Sequence, residues 1–229
     1  MKKAILTIDD VSSKNTPALV DYLAAKDIRA VMFAVGRNVE AFYSEAVYAL
    51  KAGMIIGNHS YSHPKFSELS LEAGIAEIEK NEAVLDRLYK DANVERTFRP
   101  FRFPYGDKGG GNAAAYRAYF KENGFHKLSD DAVTYPWWNE GRENTDTFWT
   151  FDFAEYRIRP QSGFTLDDVM ARIRDDHPEY GGTLLTGDSA EIILMHAHDE
   201  TEAMVPRYYE KLIGHALDNG VVFEKPVFR

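Results

Sequence analysis

Along nearly the whole 229-residue chain, short β-rich runs alternate with helical patterns, and no other feature constrains the fold as tightly. "AILTI" is followed by "TPALVDYLAAK", where Pro17 suits a first helical turn and Ala18, Leu19, Tyr22 and Leu23 share a face. "AVMFAV" leads into a predicted helix through Ala41, Phe42, Ala46, Val47 and Leu50, which Gly53 ends. After the strand "MIIG", Ser70 caps a long helix whose Leu71, Ile75, Ile78, Leu85 and Leu88 recur at helical spacing through residue 89. "FRFP", "FHKLS" and "DTFWTFD" read as strands, and "NAAAYRAYFKENG" between the first two reads as a helix from Asn112 to Gly124. "TLDDVMARI" opens with a Thr-x-x-Asp capping box, and "EIILMHAH" is the most apolar strand of the second half. A helix from Met204 to Leu217 and a closing "VVFEKPVF" follow. About seven strand-then-helix units predict an α/β fold with parallel strands and helices outside, a distorted (β/α) barrel in preference to an open doubly wound sheet.

At 45% hydrophobic content the chain can bury one substantial core, so the expectation is a single catalytic domain over residues 1–229. Residues 130–145 form the longest aperiodic stretch, and Pro136 and Gly141 mark it as loop, too short for a domain linker. The net charge of −9 is made of interspersed acidic and basic residues, which gives a nucleic-acid backbone no grip. No apolar stretch approaches the length of a membrane span. "MKKAILTIDD" reads as a first strand and carries no small-residue cleavage site, so the chain as it stands is expected in the cytoplasm. Trimming of an earlier leader is compatible with the same sequence. Cysteine is absent, so any metal must be held by His, Asp, Glu or carbonyl oxygen.

In parallel α/β folds, sites form at the carboxyl ends of the strands. There the chain places Asp9 and Asp10, His59 and His63, Arg102 with Tyr105, Asp152, and His196 with His198. Neighbouring strand residues point to opposite faces unless the backbone bends, and adjacent carboxylates repel, which a cation relieves. An Asp pair alone is an ordinary cap, and His-x3-His alone an ordinary surface pair. Together at strand ends, an aspartate with His59 and His63 makes the three-ligand set a catalytic zinc site uses when it leaves a position open for water. Zinc leads, and cobalt, nickel, manganese or iron suit the same ligands.

In this order, "TIDD", "HSYSH", "RFPY", "DFAEY" and "LMH" resemble the five motifs of the polysaccharide deacetylases, carbohydrate esterase family 4, also called the NodB-homology domain. The resemblance spans residues 7 to 196. It implies a distorted (β/α) barrel and hydrolytic removal of acetyl groups from N-acetylated or O-acetylated sugars, with one divalent metal. By the same resemblance Asp10, His59 and His63 hold the metal, Asp9 is the general base and His196 the general acid. The base would take a proton from a metal-bound water as that water attacks the acetyl carbonyl. The backbone N–H of Tyr105 would complete the oxyanion site, Leu194 would line the acetyl methyl pocket, and Arg102 would hold and aim Asp9. His198 competes with His196, since residues two apart on a strand share a face.

Two departures stand out. The family shows Asp-x-x-Asp-Trp where this chain has Asp152, Glu155 and Tyr156; the carboxylates survive, with Asp152 expected to support Arg102, and the ring shrinks. Val11 stands where "TFDDG" members carry glycine, so the backbone after Asp10 is expected to run differently. Trp137 and Trp138 are offered either to sugar faces or to packing under their loop. "YGDKGGGN" lacks phosphate-loop spacing and reads as a mouth loop. The alternatives to a deacetylase are a hydrolase of a cyclic imide or ureide, and a non-catalytic metal-dependent carbohydrate-binding protein. The latter would need neither a base nor an acid.

Overall fold

A computed structural model describes residues 1–141, 146–176 and 181–229. Among the described residues, six parallel strands form the sheet: β1 (Lys3–Val11), β2 (Val31–Ala34), β3 (Ile55–Asn58), β4 (Phe151–Asp152), β5 (Glu191–His196) and β6 (Val222–Phe223). Their order is β3-β2-β1-β5-β4. Because β5 takes one edge of β1 from Ala4 to Asp9, β2 and β6 share the other, β6 at Lys3 and Ala4 and β2 from Thr7 onward.

The sheet continues past β3 through isolated parallel bridges, Asn58 to Phe101 and Pro100 to His126. "FRFP" and "FHKLS" are therefore single contacts where the sequence predicted strands, and Pro100, with no N–H, can give the ladder only its carbonyl. The two ends of the sheet are joined by residues 147–150: Thr147 N–H donates to Phe101 O at 2.7 Å, and Thr150 N–H to Ile192 O at 2.9 Å. That change of partner shortens the predicted strand "DTFWTFD" to the two residues of β4 and closes a distorted barrel.

Strand alternation divides the core. Leu6, Ile8, Met32, Ala34, Ile56, Ile193 and Met195 face the helical layer, whereas Val31, Phe33, Ile55 and Ile192 fill the barrel interior. On β1 the interior face runs Ile5, Thr7, Asp9, turning polar at its carboxyl end. A third cluster, of Phe66, Phe101, Phe103, Tyr116, Phe120 and Phe125, packs edge to face under the 100–103 segment.

The helices are α1 (Thr16–Ala25), α2 (Gly36–Ala41), α3 (Tyr43–Lys51), α4 (Leu71–Ala92), α5 (Ala113–Glu122), α6 (Leu166–Ile173), α7 (Asp199–Met204) and α8 (Tyr208–Asp218). Ser70 caps α4 through Ala73 N–H at 3.2 Å, and the Thr165–Asp168 capping box forms as predicted. Two helical expectations are corrected. The helix predicted through Phe42 breaks there, where Phe42 leaves helical geometry and Ser12 Oγ takes the Asn38 and Phe42 carbonyls. The helix predicted from Met204 begins only at Tyr208, because Pro206 disfavours helical backbone at Val205 and removes a donor. Within the aperiodic stretch, Pro136–Gly141 forms a 3-10 helix, and residues 142–145 lie outside the described residues. Among the described residues, no helix is long and apolar enough to cross a membrane.

Candidate active site

The carboxyl end of β1 delivers both aspartates to one cleft because the backbone bends at Asp10, whose φ is 64°, with a register irregularity between Ile8 and Val11. The backbone is irregular at Asp10, and the Val11–Ser12 peptide bond that follows is cis, so the irregularity expected after Asp10 is present. Val11 is fully buried and still belongs to the strand. Among the described non-glycine residues, left-handed φ values recur around the same cleft at Ser60, His63, Tyr105 and Ala154. Such conformations are costly and gather where surrounding structure over-determines them.

His59 and His63 are set by the loop after β3. Asn58 is fully buried: its N–H donates to Pro100 O, its carbonyl accepts from Arg102 N–H, and its amide bridges Glu82, Asn81 and Ser60 N–H. Gly57 permits the approach to the 100 segment, since a Cβ there would stand 2.7 Å from Pro100 O. The loop is tied down by Ser62, bonded to the Glu77 carboxylate, and by His63 N–H on Ser60 Oγ.

His59 Nδ1 lies 2.7 Å from the Arg102 carbonyl, an acceptor only, so Nδ1 carries the proton and Nε2 offers its lone pair to the cleft. One oxygen of Asp10, Oδ1, lies 3.3 Å from His63 Nε2 and 3.8 Å from His59 Nε2. Ligand atoms of Asp10, His59 and His63 all fall within 4.8 Å of one another. Burial, with His59 beside it, lowers His63 to about 4, so it is neutral as a ligand must be. Burial would raise the Asp10 carboxyl, but the His198 hydrogen bond and the nearby imidazoles outweigh it and hold Asp10 well below the usual carboxylate range. Two imidazole nitrogens and an ionised carboxylate oxygen, converging without a bulky neighbour between them, fit a divalent cation.

Asp9 faces His196 across the sheet, the two being register partners on β1 and β5. Arg102, fully buried, donates through Nη1 to Asp9 Oδ1 and to Thr7 Oγ1, both at 2.8 Å, and through Nε to Thr147 O at 2.9 Å. Its remaining side-chain hydrogen bond, from Nη2, goes to Phe148 O at 3.5 Å, and the guanidinium lies over the Phe33 and Trp149 rings, so backbone carbonyls and aromatic faces stand where support from Asp152 was expected. Asp152 Oδ1 instead accepts from Ala154 N–H, and burial raises its carboxyl to about 6.

The carboxylate that meets the second histidine is Glu155. Its Oε1 accepts from the His196 backbone N–H at 2.5 Å and lies 3.1 Å from His196 Nδ1. Burial would lower His196, but the hydrogen bond and charge of Glu155, followed by Asp10 and Asp9, raise it to about 9. The shortened ring, Tyr156, stands edge-on to the His196 imidazole, 4.7 Å between centroids.

Asp9, Asp10, His59, His63, Asp152 and His196 line a cleft of about 400 Å³, with Leu194 and exposed Tyr105 in its walls and the buried Arg102 and Glu155 behind. Tyr105 is the middle residue of a 3-10 turn, Pro104–Gly106, with left-handed backbone at φ 58°, and the turn is closed by Gly106 N–H on Phe103 O. Trp149 and Arg159 also line the cleft, and sequence reasoning passed over both. Trp149 could have been found as the residue three before Asp152 on the closing segment; nothing local marks Arg159. The tryptophan pair divides: Trp138 is buried with its indole N–H on Asp130, while Trp137 is half exposed and stacks on Tyr135.

Fold and cleft together define a parallel α/β barrel with an Asp-His-His cluster at its mouth that could hold a metal ion. The polysaccharide deacetylase family model matches residues 1–127, more than half of the chain, and the chain belongs to that family. A Bacillus cereus peptidoglycan-N-acetylglucosamine deacetylase is 34% identical over 103 residues, covering 44% of this chain and 36% of that protein. Chitin deacetylase 1 of Cryptococcus neoformans is 37% identical over 103 residues, covering 44% of this chain and 21% of that protein. The matched segments thus span roughly a third or less of those relatives' length. A family 4 carbohydrate esterase from Streptomyces lividans, solved with acetate, superimposes with a TM-score of 0.63 at 22% identity, covering 98% of this chain and 92% of that one.

Proposed function

We propose that this chain is a metal-dependent deacetylase that removes acetyl groups from N-acetylated sugar units of a glycan. One observation carries the reading: a carboxylate and an imidazole, Asp9 and His196, stand in register on adjacent strands and flank the Asp10, His59 and His63 set. A binding protein needs neither. The names of the similar proteins, which act on N-acetylglucosamine units and chitin, support an N-acetyl sugar as the substrate class.

A divalent ion held by Asp10, His59 and His63 would supply Lewis acidity toward a carbonyl oxygen and acidify a water. Asp9 Oδ1 is occupied by Arg102, and Oδ2, 3.5 Å from His59 Nε2, is the oxygen left to accept the proton of the attacking water. His196, raised to about 9, is charged at neutral pH; with Nδ1 on Glu155, its Nε2 is left to protonate the departing nitrogen. Leu194 gives an apolar wall for the acetyl methyl, and the Tyr105 N–H a donor for the oxyanion. Zinc is the leading metal, on the strength of two imidazoles and one carboxylate.

Acetate release from chitin oligomers and peptidoglycan fragments, measured with zinc, cobalt, nickel, manganese and iron in turn, tests the reading. No release with any of them would defeat it. Asp9→Asn should lower the rate by about 10²–10⁴ while leaving metal affinity in place.

A further inference from the structure

We infer that His198 is a positioning residue for the metal-ligand carboxylate: its Nε2–H donates to Asp10 Oδ2 and thereby presents Oδ1 to the ion. The inference rests on Asp10, His59 and His63 being the metal site.

The Asp10 carboxylate is divided between two duties. Oδ1 faces His63 and His59 at 3.3 and 3.8 Å, whereas Oδ2 lies 2.6 Å from His198 Nε2. Carboxylate torsions are broad and roughly two-fold, so the side chain by itself does not choose which oxygen meets the ion. Nor does the strand ladder choose, because Asp10 has left strand geometry. What holds the residue is Asn38, whose amide takes the Asp10 carbonyl at 3.0 Å, and His198 on the carboxylate. The imidazole is itself seated: His198 caps α7, its carbonyl accepts from Glu202 N–H, and its ring lies 5.3 Å from that of His196.

A ring nitrogen that meets an ionised carboxylate oxygen carries a proton, so Nε2 of His198 is directed to Asp10 and not to the ion. Outer partners of this kind orient ligating groups, and their loss costs about 10–100-fold in metal affinity. The two histidines of "MHAH" are thereby assigned to different tasks: His196 is held by Glu155, and His198 holds the ligand.

The test is Zn²⁺ affinity, by chelator competition, of wild-type protein, His198→Ala and His198→Gln, with Co²⁺ absorption spectra and acetate release at saturating Zn²⁺. His198→Ala should bind Zn²⁺ about 10–100-fold more weakly. His198→Gln, whose amide keeps an N–H near the same place, should recover most of that loss. The activity lost by His198→Ala should be recovered as Zn²⁺ is raised to saturation, and the Co²⁺ spectrum should keep its shape. Unchanged affinity in His198→Ala overturns the inference. So does a changed Co²⁺ coordination number, which would make His198 a ligand, or a lost kcat with affinity intact, which would make it the acid. Thermal unfolding of the metal-free proteins identifies a variant that fails to fold, and the glutamine variant then carries the test. A wild-type protein that binds no Zn²⁺ removes the metal site and this inference together; one that binds Zn²⁺ but releases no acetate removes only the deacetylase reading.

Discussion

The two walls of the cleft are built differently. The proposed metal wall comes from β1, β3 and the 100–103 segment, and its polar groups are held in place: Arg102 holds Asp9, the Arg102 carbonyl holds His59, and His198 holds Asp10. The acid wall comes from the two-residue β4, the turn after it and the end of β5. It keeps loose ends: Glu155 Oε2 is buried with no hydrogen-bond partner, and Asp152 is raised toward neutrality by burial. The lesson is that a ligand set admits few residue types and one geometry, whereas a proton donor needs only a suitable pKa, which several arrangements of carboxylate and ring can supply.

That contrast ranks the expected effects. Removing the metal strikes the first wall hardest: dialysis against a chelator, or His63→Ala, should reduce acetate release to background, and added Zn²⁺ should rescue the dialysed protein but not the variant. Next comes Arg102→Met, which leaves Asp9 buried without its cation; breaking a buried pair by removing one partner costs about 3–5 kcal/mol, to be read from urea unfolding of the metal-free protein. A loss far below that would place the two walls on an equal footing.

Glu155→Gln acts on the second wall through pH. With Glu155 charged, His196 keeps its proton up to about pH 9, so kcat should hold through neutrality and fall above that. Without that charge, burial dominates and the fall should move to lower pH. The same raised value makes a contribution to stability that is fully present below the ordinary imidazole value and lost as pH rises through about 9. Unfolding curves across that window should show the loss in the metal-free wild type and little of it in Glu155→Gln. Smallest is Tyr156→Trp, which restores the larger ring against His196; it should change kcat/KM by about 1 kcal/mol or less, the scale of one aromatic contact.

The sequence made the metal wall legible because metal ligands come from few side chains and parallel folds put them at strand ends. Strand-end placement singled out the Asp9–Asp10 pair with His59 and His63, the choice between the two aspartates came from the family resemblance, and the bend their adjacency required appears at Asp10. What holds them was not legible. Asn58 and Glu82 look like ordinary polar residues until the fold buries them together, and Trp149 and Arg159 reach the cleft only through tertiary placement. The strand periodicity was read correctly for β1, β2, β3 and β5, whose partners continue for several residues. It overreached at "FRFP" and "DTFWTFD", where the chain changes partners after one or two contacts. Pro206 did announce the break between α7 and α8, but the apolar spacing on either side masked it.

Arg102 reaches the site twice, once through its guanidinium on Asp9 and once through its carbonyl on the imidazole of His59. One residue thus ties the proposed proton acceptor and a proposed metal ligand to the same piece of backbone. A substitution that shifts the backbone at residue 102 therefore disturbs both groups at once, whereas one that only shortens the side chain spares the tie to His59.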